Sequence, residues 1–233
     1  MSKSTPALVL YLVSSLIYVL SVILHWEESI TFLFKPMMMP AILFYYWQEC
    51  RGKIKIIPVL VLLFFYIGDM LILIEYENLL VPLMLLNLIA YFLIGYYLVK
   101  DLLAIKNPEV SLHTVLIVCI VIGFLLSLLY AALKLVFDTS DSNYGLLTIY
   151  GVTLVLLGIG TVIYYVLRSD SASFYLSITM LCLVLCDLFY VLYNHYAPLD
   201  VFININVFSQ SVSFYFIVKY FLAREEQNLP EST

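Results

Sequence analysis

The chain has 233 residues, 64% of them hydrophobic and 12% charged, with a formal net charge of −5 and a mean hydropathy of +1.04. Soluble domains run near half apolar and a quarter charged, so this composition excludes a water-soluble fold, which must cover its core with a polar shell. So small a negative charge, with no Lys/Arg-rich arm, gives no reason to expect a nucleic-acid partner.

Inside hydrocarbon every backbone N–H and C=O must be paired internally, which leaves helices or closed barrels. Barrel strands alternate apolar and polar residues, whereas Val59 to Phe65 and Val115 to Leu129 are apolar runs without alternation. The expectation is an all-α, polytopic membrane bundle of about eight spans, forming a single transmembrane domain over 1–233, since a span needs about 20 mainly apolar residues.

The first run, 7–24, ends in His25-Trp26-Glu27 rather than in a small-residue cleavage site, so it reads as a retained span and not a signal peptide. The second, 30–48, carries Lys35-Pro36, Met37 to Met39 and Pro40; each proline removes a helix hydrogen bond and favours a kink. The third, 56–75, contains Tyr66 and Asp69, and the fourth, 79–99, contains Asn87 and Tyr91. The fifth, 112–136, is almost wholly apolar, and the sixth, 145–168, carries Tyr150. Asp187 and Tyr190 lie in the seventh, 172–193, with Asn194 just beyond it, and Ser209-Gln210-Ser211 in the eighth, 201–222. The tail from Arg224 is polar and expected to fray. Cys50, Cys119, Cys182 and Cys186 have no metal-ligand spacing, and His25, His113 and His195 fall at helix ends, so no metal or cofactor is expected.

If the spans alternate, Lys3, Arg51, Lys53, Lys55, Lys100, Lys106, Arg168 and Arg224 fall on one side. Glu27, Glu28, Glu75, Glu77, Asp138, Asp141 and Asp200 fall on the other. That sorting predicts an N-in, C-in topology. A mid-bilayer charge costs roughly 2.5–3.5 kcal/mol, yet Lys35, Asp69 and Asp187 have no loop to escape to. At about 1.5 Å per residue all three sit roughly 9–12 Å below the outer boundary, so a shared polar cavity is expected. Asn87, Tyr91, Tyr150 and Gln210 reach the same layer, and Tyr66, Tyr190 and Asn194 stand at helical spacing from the aspartates.

At these residues the chain resembles the YhhN family of eight-helix membrane proteins, which includes lysoplasmalogenases. The likeness rests on Lys35-Pro36 with Pro40, on Phe65 to Leu73 around Gly68-Asp69, and on Leu183 to Leu188 around Cys186-Asp187. It departs from the family at Tyr96, where a His is usual, at Cys186 in place of a Ser, and at Lys219 in place of a Gln. The resemblance implies hydrolysis of the vinyl-ether bond of a lysoplasmalogen, a lysophospholipid substrate met in the bilayer (the cytoplasmic membrane in a bacterium). Asp69 and Asp187 would be catalytic, and Lys35, Tyr66, Asn87, Tyr91, Tyr150, Tyr190, Asn194 and Gln210 supporting or substrate-binding.

The residues fit that chemistry. Cleavage begins by protonating the alkene, and a second carboxylate steadies the oxocarbenium ion that results, which is the logic of the glycosidase pair. Sequence leaves open which aspartate takes which role. Two further readings stay open: a small transporter whose intramembrane aspartates carry protons or cations, and a lipid-binding protein without turnover.

Overall fold

A proline or a polar residue opens several of the helices, and apolar stretches fill them. The structure is a computed structural model that describes residues 4–51, 54–74, 80–105, 112–137 and 144–227. Its helices are α1 (Thr5–Ile23), α2 (Glu28–Glu49), α3 (Ile56–Leu73), α4 (Leu80–Leu103), α5 (Leu112–Phe137), α6 (Tyr144–Arg168), α7 (Ser171–His195) and α8 (Asp200–Gln227). Pro6, Pro58 and Pro82 stand in first turns, where a missing N–H costs nothing. Asp170 caps α7 in a reciprocal capping box with Ser173, supplying two of the partners that a helix start lacks. Ser4 donates a hydrogen bond to Glu49, tying the start of α1 to the end of α2.

Among the described residues, seven helices are long and apolar enough to cross a membrane. The eighth is α2, whose 22 residues are made less apolar by Lys35, Pro36, Pro40 and Tyr45 to Gln48. It runs unbroken through both prolines. α8 touches α1, α2, α3 and α7, while α4 joins α3 to α6. α5 packs on α6 and α7 from outside. It is the most apolar of the seven, and only 6% of its most apolar stretch is buried, against 28–44% for the others.

Two helix ends differ from the sequence expectation. α4 runs on to Leu103 and α8 to Gln227, so Arg224 belongs to a helix and not to a frayed tail. Its guanidinium lies 2.8 Å from Asp101 through both Nε and Nη2, and Tyr220 donates to the same carboxylate at 2.8 Å. Arg224 also stacks 3.9 Å from the centre of the Tyr97 ring. Both charges are buried; each is tolerable at the end of a helix because the other neutralises it. Lys3, Lys53, Glu75, Glu77, Lys106, Asp138, Asp141 and residues 228–233 lie outside the described residues.

Candidate functional site

All eight helices contribute to one cavity of about 300 Å³. They do so with alternating ends: Tyr18 near the end of α1, Lys35 early in α2, Asp69 late in α3, Asn87 early in α4. α5 to α8 repeat the alternation, with Leu125 to Val136 late, Tyr150 early, Asp187 late and Gln210 early. The cavity thus sits toward the end of the bundle at which α7 finishes and α8 begins. The Asp101–Arg224 pair marks the opposite end.

On α3 the cavity face is Phe65, Asp69 and Ile72, the spacing of one helical stripe. Gly68 lets α4 come close beside Asp69: a Cβ there would lie 3.0 Å from Leu83 Cδ1 and 3.2 Å from Asn87 Oδ1. Asp69 is buried and accepts a 2.5 Å hydrogen bond from Gln210 Nε2 on α8. Lys35 is 8% exposed, with Nζ 5.6 Å from the centre of the Tyr18 ring, within reach for a cation–π attraction. Its charge acts on Asp69 across the cavity.

Asp187 has different neighbours. Its Oδ2 accepts hydrogen bonds from Tyr91 at 2.7 Å and from Tyr150 at 2.9 Å, and the two phenol oxygens are 3.2 Å apart. The rings pack with centroids 5.4 Å apart, and Phe65 backs Tyr91 at 5.8 Å. Asp187 forms no ion pair among the described residues. The carbonyl of Cys186, the residue before it, accepts from Asn206 Nδ2 at 2.8 Å, which holds this turn of α7 against α8.

Most of the rest of the wall is apolar. Leu125, Leu128, Leu129, Ala132, Leu133 and Val136 of α5 line it at spacings of three and four, one stripe of that helix. Across from them are Leu147, Gly151 and Leu154 of α6. Gly151 leaves room for Leu129 there, whose Cδ1 a Cβ would meet at 2.6 Å. Polar groups therefore gather on one flank and aliphatic ones on the other.

Of the residues singled out from sequence, Lys35, Asp69, Asn87, Tyr91, Tyr150, Asp187, Tyr190 and Gln210 line this cavity. Tyr66 and Asn194 do not. Phe65, four residues before Asp69, takes the cavity face that Tyr66 was expected to share. Asn194 is exposed and turns back to donate to the Tyr190 carbonyl at 2.8 Å. Tyr96 is 55% exposed, and neither it nor Lys219 reaches the cavity. Three polar residues were missed: Tyr18, Asn206 and His195. Asn206 carried a usable signal, a carboxamide within an apolar helix, whereas Tyr18 is one of 20 tyrosines. No group of three His, Cys, Asp or Glu side chains able to hold a metal occurs among the described residues.

Compared with family models, curated proteins and solved structures, the chain matches none.

Proposed function

We propose that this chain is a lysoplasmalogenase-like hydrolase, which cleaves the vinyl-ether bond of a lysophospholipid to a fatty aldehyde and a glycerophospho-base. One observation carries the reading: two carboxyls from different helices, Asp69 and Asp187, line a single cavity whose other flank is aliphatic. A cavity of about 300 Å³ is at the small end for ligand sites, which suits one hydrocarbon chain better than two. The polar flank suits the ether end of that chain.

The chemistry needs a proton delivered to the alkene carbon remote from oxygen, giving an oxocarbenium ion. Water then adds to the carbon that bears the oxygen, and the resulting hemiacetal collapses. One carboxylic acid and one carboxylate supply both steps. Lys35 supports the reading because a cation acting on one carboxyl and not on the other lets the two hold different protonation states at one pH.

The same reading takes all eight helices, α2 included, as spans, with N-in and C-in topology and the cavity toward the outer side. The alternating helix ends around the cavity support it. Arg51, Lys55, Lys100, Arg168 and Arg224 stand at the opposite end, while Lys134, in the last turn of α5, stands against the trend. In a bacterium the setting is the cytoplasmic membrane.

The test is aldehyde release from lysoplasmalogen by purified protein. Asp69→Asn and Asp187→Asn should each lower it by about 10²–10⁴-fold while membrane insertion is kept. Both variants turning over like wild type would remove the carboxylate mechanism. Proton flux in liposomes without aldehyde release would favour a transporter. Cysteines placed at 26 and 55 should be labelled from opposite sides of the membrane, and labelling from the same side would overturn the topology.

A further inference from the structure

We propose that Asp187 is the proton donor and Asp69 the working carboxylate, with Tyr91 and Tyr150 acting as positioning residues that hold the Asp187 proton on Oδ1. The assignment rests on the two-carboxyl reading above and divides the roles that reading leaves open.

The division follows from what surrounds each acid. Asp69 has a cation acting on it and a carboxamide N–H at 2.5 Å, both of which favour a negative charge. Asp187 has neither. A buried carboxylate without a counter-ion is costly, so the neutral acid is its cheaper state. Of the other titratable groups on the cavity wall, Tyr91 and Tyr150 hydrogen-bond Asp187; as neutral donors they favour its ionised form but supply no counter-ion. α1 offers Tyr18, α4 Tyr91, α6 Tyr150, and α7 Cys186, Tyr190 and His195 at the mouth. α8 presents uncharged Asn206 and Gln210, and α5 presents only aliphatic side chains.

The two tyrosines then decide which oxygen carries the proton. Tyr91 and Tyr150 both aim their hydroxyls at Oδ2, at 2.7 and 2.9 Å, and Oδ1 has no hydrogen-bond partner among the described residues. A proton on Oδ2 would force a phenol hydroxyl to turn round and accept, whereas a proton on Oδ1 leaves Oδ2 as a carbonyl oxygen accepting both. The arrangement favours the reaction for a second reason. As the proton leaves Oδ1, Oδ2 gains negative charge, and hydrogen bonds to an ionised acceptor are roughly twice as strong as neutral ones. The tyrosines thus stabilise the product of proton transfer more than the starting acid, which is differential binding of the transition state.

The protons balance. Asp187 gives its proton to the alkene carbon, and the C=C pair forms the new C–H bond. Water attacks the oxocarbenium carbon as Asp69 takes a proton from it. In the collapse Asp69 returns that proton to the departing glyceryl oxygen while Asp187 takes the hemiacetal O–H proton. Both carboxyls end as they began, and the net change is substrate plus water to aldehyde plus alcohol.

Infrared titration of the substrate-free protein in vesicles tests the assignment independently of turnover. The carboxylic-acid band that persists to the higher pH should vanish in Asp187→Asn and remain in Asp69→Asn. In Tyr91→Phe and in Tyr150→Phe it should move to higher frequency, because the acid carbonyl loses a donor. Loss of the persistent band in Asp69→Asn, or a band unmoved by both tyrosine variants, overturns the proposal. Turnover supplies the second arm. Each Tyr→Phe variant should lower kcat by on the order of 10²-fold with KM unchanged, and move the alkaline limb of the pH profile upward. A raised KM with kcat intact would make the tyrosines substrate-binding groups and refute their role here. Wild-type protein that releases no aldehyde would defeat the hydrolase reading alone, since the infrared order of proton loss still decides between the two aspartates.

Discussion

Removing the ammonium of Lys35 leaves Asp69 with the Gln210 amide as its remaining charge-favouring partner. Lys35→Met should therefore move the acid limb of the pH–rate profile upward, because Asp69 then keeps its proton to higher pH, and should lower the rate at neutral pH. An acid limb that stays in place would show that the lysine does not serve Asp69. At the far end of the molecule Asp170 offers a prediction of opposite sign. Partial burial raises its carboxyl, but the Ser173 hydrogen bonds and the Arg168 guanidinium more than offset this and hold it below the usual carboxylate range. A carboxyl with a lowered folded-state value contributes stability above its unfolded value of about 3.9, and that contribution is lost as pH falls through the folded-state value. Asp170→Ala should cost about 1 kcal/mol at neutral pH and less at an acidic pH low enough to protonate the carboxyl in the folded state too. Thermal unfolding in detergent at both pH values measures the difference.

Between α6 and α7 the chain turns at Ser169, which takes a left-handed conformation with φ 51. An L side chain there costs roughly 1–2 kcal/mol, and glycine avoids the penalty. Ser169→Gly should raise the unfolding temperature slightly, because the gain outweighs the added freedom of the unfolded chain; a lowered one would refute the argument. The contact of α5 with α6 behaves differently. A methyl at residue 151 would collide with Leu129 Cδ1, the far end of a flexible side chain that lines the cavity. Gly151→Ala should therefore leave stability nearly unchanged while pushing Leu129 into the cavity. The expected readout is a shift of aldehyde release toward shorter-chain substrates, and an unchanged chain-length profile would mean that hydrocarbon does not lie along this stripe.

For the molecule as a whole, the Asp101–Arg224 pair joins α4 to α8 at the end remote from the cavity. Arg224→Gln leaves Asp101 buried with Tyr220 as its donor, and breaking such a pair costs about 3–5 kcal/mol. The variant should unfold in detergent at markedly lower temperature, with any surviving protein keeping its KM for lysoplasmalogen. The helices were legible in the sequence because long apolar runs need no tertiary context. The ends of α4 and α8 were not: Asp101 and Arg224 lie beyond the apolar runs 79–99 and 201–222, and only folding brings them together across 123 positions. Depth could likewise be counted along each helix, and Lys35, Asp69 and Asp187 do reach one cavity. Rotation about the helix axis could not, which is why Tyr66 was expected on a face that Phe65 occupies. The α5 stripe was invisible for a simpler reason, since a helix apolar on all sides has no periodicity to read.

Almost none of α5 is buried, yet one face of it closes the cavity. Its position is thus fixed by the surrounding hydrocarbon as well as by α6 and α7. A compartment with one such wall is mechanically compliant, and its volume answers to the lateral pressure of the bilayer at the depth of Leu125 to Val136. Detergent micelles and bilayers are then not equivalent solvents for this protein. Lipids that pack loosely or tightly at that depth act on the cavity as a load rather than as ligands.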